Sequence, residues 1–155
     1  MKKVLVLLCG LLLVYGLYAD TNKMTIGLNF GTMTDDDFSF NPFLWTVGAE
    51  LDLPFGKNLI FSPELTIVGY KFEFKEFVAL PAVILDITFS NFFAGGGLTK
   101  GFYIGSGTAT AITDFALKLN AGFLSESLKL TAYVITPFED IFKDMAIGAS
   151  LGFRL

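Results

Sequence analysis

The sequence predicts an all-β chain, folded as an eight-stranded antiparallel up-and-down transmembrane β-barrel. Three observations lead there. Residues 145–155 alternate at period two, with Met145, Ile147, Ala149, Leu151, Phe153 and Leu155 on one face and Ala146, Gly148, Ser150, Gly152 and Arg154 on the other. The second face is small apart from one arginine, which suits the cramped interior of a closed barrel whose outside is hydrocarbon. Next, 53% of the residues are hydrophobic and 18 are Phe, yet nothing after the amino-terminal segment offers 18 uncharged apolar residues for a spanning helix. Finally, only helices and closed barrels pair all of their backbone groups within lipid, so strands in lipid must close.

The amino end carries compartment information. Lys2 and Lys3, an apolar run over 4–13, and Leu17-Tyr18-Ala19 before Asp20 predict an export signal over residues 1–19 and one barrel domain over 20–155. The apolar stretch 4–19 is short of the ~20 residues a membrane-spanning helix needs. Cys9 follows Leu8, whereas lipidation sites place a small residue before the cysteine. Removing 19 of 155 residues leaves 136 without cysteine or histidine, so disulfides are excluded. Nine Lys and Arg (eleven less Lys2 and Lys3) against fifteen Asp and Glu give that segment a charge of −6. Its length suits one domain, and eight strands of about ten residues leave about 56 for turns and loops.

The first strand is expected over 24–33, with Met24, Ile26, Leu28 and Phe30 outward and Thr25, Gly27, Asn29 and Gly31 inward. The second, 43–53, puts Phe43, Trp45, Val47, Ala49, Leu51 and Leu53 outward against Leu44, Thr46, Gly48, Glu50 and Asp52. Residues 54–58 (PFGKN) break it. The third strand, from about 59 to 74, slips in its alternation: Leu65 and Ile67 share a face, whereas Tyr70, Phe72 and Phe74 take the opposite parity. A β-bulge or a long, partly exposed ribbon would account for this. The fourth, 77–89, sets Val83, Leu85, Ile87 and Phe89 opposite Ala82, Ile84, Asp86 and Thr88, with Pro81 expected near its beginning or at a bulge. Gly95, Gly96 and Gly97 read as a connection to a fifth strand near 100–108.

The sixth strand puts Phe115, Leu117, Leu119, Ala121 and Phe123 outward against Ala116, Lys118, Asn120 and Gly122. After a tight turn at 124–127, the seventh puts Leu128, Leu130, Ala132 and Val134 outward against Lys129, Thr131 and Tyr133. The loop 136–144 (TPFEDIFKD) leads to the eighth. An even count brings both ends of the barrel segment to one side.

The same parity sorts the charges. Glu50, Asp52, Asp86, Lys118, Lys129 and Arg154 fall at inward positions, joined by Glu64 if its register holds. Eight strands enclose an interior just wide enough for side chains to fill. Opposite charges can neutralise one another there, whereas a base facing lipid at the midplane costs roughly 2–4 kcal/mol. Asp52 and Arg154 lie close to strand ends and are also compatible with wetted rim positions. These residues form an interior polar network with a structural, not catalytic, role. Residues 34–37 (TDDD) offer three consecutive carboxylates but lack the spacing and glycine turn of a calcium loop, and read as a solvated acidic loop. The glycines at 95–97 lack the Gly-Lys-Ser/Thr of a phosphate loop. No cofactor, metal or nucleic-acid partner is expected.

Through its signal, strand count and terminal Gly152-Phe153-Arg154-Leu155, the chain resembles small eight-stranded bacterial outer-membrane barrel proteins of the adhesion and envelope type. Members of that family most often end on the aromatic residue itself. The resemblance implies residence in the bacterial outer membrane, insertion by the outer-membrane assembly machinery, and contact with outer-membrane lipids or lipopolysaccharide; a monomer is expected. Related lipid-modifying barrels generally use histidine, which this sequence lacks. No Ser or Asp has an evident activating partner. The expected function is therefore a non-enzymatic envelope-structural or loop-mediated binding or adhesion role. The alternatives are a small channel for hydrophobic compounds and a periplasmic lipid-binding barrel, the latter requiring apolar side chains to point inward.

Overall fold

The computed structural model describes residues 23–34, 43–70, 76–105, 108–139, 141 and 144–155. The expected export signal, the carboxylates at 35–37, and Phe72 and Phe74 lie outside the described residues. Among the described residues there are eight strands: β1 (Thr25–Met33), β2 (Leu44–Phe55), β3 (Leu59–Tyr70), β4 (Glu76–Phe89), β5 (Phe92–Gly105), β6 (Thr108–Leu124), β7 (Leu128–Pro137) and β8 (Ala146–Arg154). Each pairs antiparallel with its neighbours in sequence, and β1 pairs with β8, so the sheet closes into a barrel without a free edge. The seam runs from Gly27 opposite Arg154 to Met33 opposite Gly148. It is prolonged by the Leu155 amide donating to the Ile26 carbonyl at 2.8 Å.

Three short turns, 56–58, 90–91 and 125–127, share one end of the barrel with the start of β1 and the finish of β8. The first two turn through left-handed residues, Gly56 at φ 68° and Ser90 at φ 57°. The third is fastened by its own serine, whose Oγ accepts the Leu128 amide at 3.1 Å. This is called the turn end below, and the opposite rim the loop end.

Polarity is inverted relative to a water-soluble barrel. Ile26, Leu28, Phe30, Leu65, Val83, Leu85, Ile87, Leu119, Leu130, Ile147 and Leu151 are exposed on the outer wall. A continuous apolar surface of that extent is unstable in water and is the surface a bilayer requires. Phenylalanines crowd the turn end of this wall: Phe55 packs edge-on against Phe61, and Phe92 against Phe123 with ring centroids 5.8 Å apart. Such aromatic crowding marks the edges of the apolar band in membrane barrels. The apolar-in packing that a periplasmic lipid-binding barrel needs is not what the chain adopts.

Several sequence expectations change. β3 holds a single register against β2 from Leu44 opposite Tyr70 to Phe55 opposite Leu59, so the expected slip is not a bulge there. Tyr70 is an inward-parity residue at the loop-end rim, where it is exposed. Gly95, Gly96 and Gly97 are not a connection. They lie within β5, opposite Asp86, Leu85 and Ile84, and the turn is Ser90 and Asn91. A side chain at Gly95 would run into the Asp86 carboxylate, so the lumen's crowding, not a bend, explains this glycine. Pro54 stays in β2, opposite Ile60, and the turn begins at Gly56. Pro81 sits inside β4 rather than near its start, at a place where pairing with β5 lapses. Trp45 keeps its outward parity, but its indole lies across Gly69 on the neighbouring strand and is only 7% exposed.

The closing strand gives a direct check on orientation. Phe153 is 48% exposed on the outer wall, and Arg154 points inward. Spin labels placed singly at the two positions in the bilayer-reconstituted protein should differ, with the 153 label the more accessible to a lipid-soluble quencher. Greater quenching at 154 would reverse the register of β8. Phe153→Asp should lower folding yield more than Phe153→Leu, because a lipid-facing charge is unfavourable by an amount that grows with depth.

Candidate functional site

Among the described residues, chemically distinctive side chains gather in the lumen. Strand order explains how. The inward carboxylates stand on β2, β3 and β4 (Glu50, Asp52, Glu64, Asp86), and the inward cations on β6, β7 and β8 (Lys118, Lys129, Arg154). In an open sheet the two sets would lie far apart; closure turns them face to face.

Moving up from the turn end, Arg154 comes first. Its Nη1 donates to the Ser125 carbonyl at 2.9 Å and its Nη2 to Thr25 Oγ1 at 2.8 Å, while Nη2 lies 3.2 Å from Asp52 Oδ2. The guanidinium thus ties the last strand to the first strand and to the β6–β7 turn. Asp52, 1% exposed, also accepts from Ser62 Oγ at 2.7 Å and from Lys129 Nζ at 3.2 Å. Lys129 is the hub. Its ammonium donates to Glu50 Oε2 at 3.0 Å, lies 3.8 Å from Asp86 Oδ2, and stands 5.1 Å from the centroid of the Phe93 ring. One tier higher, Lys118 pairs with Glu64 and sits 4.4 Å from the centre of the Tyr133 ring. Both lysines therefore have a carboxylate and an aromatic face, the two surroundings that best replace water around a buried ammonium.

Above the charges the lumen turns apolar. Met33, Val68 and Tyr133 form a buried cluster, with Leu44, Val78, Leu80, Ile135 and Ala146 packed against it. All of these occupy inward-parity positions near the loop end, so the barrel is stoppered by hydrophobic side chains above its ionic layer. Between the tiers, a cavity of about 20 Å³ bordered by Asn29, Thr46, Glu64, Lys118, Asn120 and Tyr133 has room for about one water molecule. The larger hollow, about 700 Å³, is the open mouth at the turn end, bordered by Lys23, Lys57, Glu126 and Arg154.

Each of the six sequence-predicted residues is thus inside, and Glu64 joins them. Asp52, compatible in sequence with a wetted rim, is fully enclosed; Arg154 is the rim residue. Sequence reasoning did not single out Ser62, which bonds Asp52 across the β2–β3 hairpin, or Thr25 and Phe93, whose partners Arg154 and Lys129 are distant in sequence. It also passed over the apolar stopper, although inward-parity Met33, Leu44, Val68 and Ile135 carried the signal. Among the described residues its carboxylates lie against Lys118, Lys129 and Arg154. Among the described residues no three Asp, Glu, His or Cys side chains are arranged to hold a metal ion.

The barrel superposes on a de novo designed transmembrane β-barrel with a TM-score of 0.56 at 6% sequence identity, over 87% of this chain and 98% of that one. The chain has the fold of a transmembrane β-barrel. Two natural barrels are more loosely similar. Neisserial surface protein A matches with a TM-score of 0.48 at 12% identity, over 85% of this chain and 94% of its own. Ail, the attachment invasion locus protein of Yersinia pestis, matches with 0.42 at 12% identity, over 85% and 96%. No family model matches the sequence. No curated protein matches it either.

Removing the hub should be costly. Lys129→Met would leave Glu50, Asp52 and Asp86 facing one another without their shared cation. Truncating one member of a buried ionic cluster typically destabilises by about 3–5 kcal/mol. Urea unfolding in detergent should show a loss of that order for Lys129→Met. Lys57→Met in the exposed β2–β3 turn should change stability by no more than about 0.5 kcal/mol. Equal effects of the two substitutions would remove Lys129 from the lumen.

Proposed function

We propose that the chain is a non-enzymatic, non-conducting barrel of the bacterial outer membrane whose role is structural, with its loop end available to a partner. The observation that carries this reading is the filled lumen: paired charges below, an apolar stopper above, and between them space for about one water. A porin needs a continuous wet path, and a transporter of hydrophobic compounds needs an open apolar one; that packing argues against both. An enzyme needs an accessible nucleophile or acid–base pair. The buried carboxylates here already serve Lys129, Lys118 and Arg154, and the sequence has no histidine.

In this reading Glu50, Asp52, Glu64, Asp86, Lys118, Lys129 and Arg154 have a structural role. They let eight strands close around a polar interior while the outer wall stays free of charge nearly everywhere. Residues 1–19 act as a cleaved export signal, the assembly machinery of the outer membrane inserts residues 20–155, and the barrel works as a monomer among outer-membrane lipids or lipopolysaccharide.

Planar-bilayer recording tests the central part of this. Purified, reconstituted protein should give no stable conductance steps of porin size. Reproducible large steps that scale with the amount of inserted protein would overturn the reading.

A further inference from the structure

Among the described residues Lys100 is the one cation at an outward position of a strand. On β5, Phe93 and Thr99 point into the lumen, whereas Leu98 and Lys100 alternate to the outside. Lys100 has no ion pair among the described residues. Its ammonium lies 5.1 Å from the centroid of Phe115 and 6.0 Å from that of Phe102. The rings orient the charge without neutralising it. A cation on the lipid face is unfavourable unless something answers it.

The wall around Lys100 is also its most irregular part. Pairing between β4 and β5 stops after Ala79 opposite Phe102 and resumes at Ala82 opposite Thr99, skipping Pro81, which has no N–H to give. On the other side, Lys100 is opposite Phe115 but Phe102 is opposite Ala111, so β6 carries two more residues than β5 across the interval. The bulge redirects a backbone donor: the Gly101 amide reaches Thr113 Oγ1 at 2.7 Å. The bend leaves an apolar cleft of about 330 Å³ in the outer wall, bordered by Pro81, Val83, Leu98, Phe102 and Phe115 together with Lys100.

Depth completes the picture. Lys100 is eight residues beyond Phe92, where β5 leaves the turn end. At ~3.3 Å per residue and a tilt of ~40°, that is about 20 Å along the barrel axis, within an apolar band about 25 Å tall. The ammonium is therefore close to the loop-end interface, where phosphate headgroups begin and acyl chains hang below.

We propose that this cleft holds one phosphate-bearing lipid of the loop-side leaflet, with an acyl chain along Pro81, Val83, Leu98 and Phe102 and a phosphate oxygen on Lys100 Nζ. In the outer membrane that leaflet carries phosphorylated lipid A. The inference rests on the outer-membrane reading above and adds a defined site and headgroup chemistry to it.

Native mass spectrometry of the full chain, expressed with its leader and purified from membranes in detergent, tests it. The probes are bisphosphorylated lipid A, phosphatidylglycerol and phosphatidylcholine offered in equal amounts. Wild type should retain a single lipid A with a preference of about fivefold over phosphatidylcholine, the scale expected of one basic residue at an interface. Lys100→Gln should abolish that preference, Lys100→Arg should keep it, and Lys57→Gln at the turn end should leave it unchanged. Heat-modifiable gel mobility confirms that each variant is folded. A folded wild type that retains phosphatidylcholine equally well, or a folded Lys100→Gln with undiminished preference, would overturn the lipid site and leave the barrel standing. Preference for phosphatidylglycerol over lipid A would overturn the assignment to the loop-side leaflet. A wild type without heat-modifiable mobility would overturn the barrel reading and the site with it.

Discussion

The structure depends on a charge separation that only closure can resolve. Carboxylates on β2, β3 and β4 and cations on β6, β7 and β8 meet across the lumen, with Lys129 Nζ within 3.8 Å of three acids. Each charge alone would be far too unfavourable at that depth, and each becomes tolerable only when its partner arrives from the other half of the barrel. Closure through β1 and β8 also removes the sheet edge, whose unpaired backbone groups hydrocarbon would not tolerate. The backbone and the side chains thus impose the same requirement. Arg154 joins the two, because it stands on the closing strand, bonds Thr25 on the opening one, and pairs with Asp52.

From that constraint the interior follows. A lumen already occupied by long ionic side chains has little space left, so the inward positions beside them are small. Gly95 next to Asp86 is one such position, and Gly148, facing the ring of Tyr133, is another. Toward the loop end the inward residues become Met33, Leu44, Val68 and Ile135, which need no partners and exclude water. An ionic layer capped by an apolar one gives a barrel that is filled along most of its length. The fold alone does not dictate that outcome, since similar frames serve unrelated purposes; it is the lumen's side chains that argue for a structural role.

Much of this was legible in the sequence because lipid outside and packing inside enforce a strict period of two. Every outward residue assigned to β1, β4, β6, β7 and β8 within the described strands lies on the outer wall, and the six interior charges lie inside. Departures from the sequence reading have physical causes. Glycine is depleted in most strands, so three in a row at 95–97 read as a connection; here they are strand residues, with Gly95 against the Asp86 carboxylate and Gly97 against the backbone of Val83. Tyr70 imitated a register slip because a rim residue can follow inward parity and still be exposed. The real irregularity, between β5 and β6 at Lys100, left only scattered glycines and Pro81 as its trace. Ion-pair partners were not legible at all, since Glu50 and Lys129 are 79 residues apart and their contact exists only in the closed barrel.

A double-mutant cycle on Glu50 and Lys129, measured by reversible urea unfolding in detergent, addresses this dependence most directly. Glu50→Gln, Lys129→Met and the double variant should be non-additive, with a coupling of about 1–3 kcal/mol, as expected for directly paired buried charges. Additivity within about 0.3 kcal/mol would mean that the two residues do not meet. It would contradict an interior held together by charges that closure brings face to face.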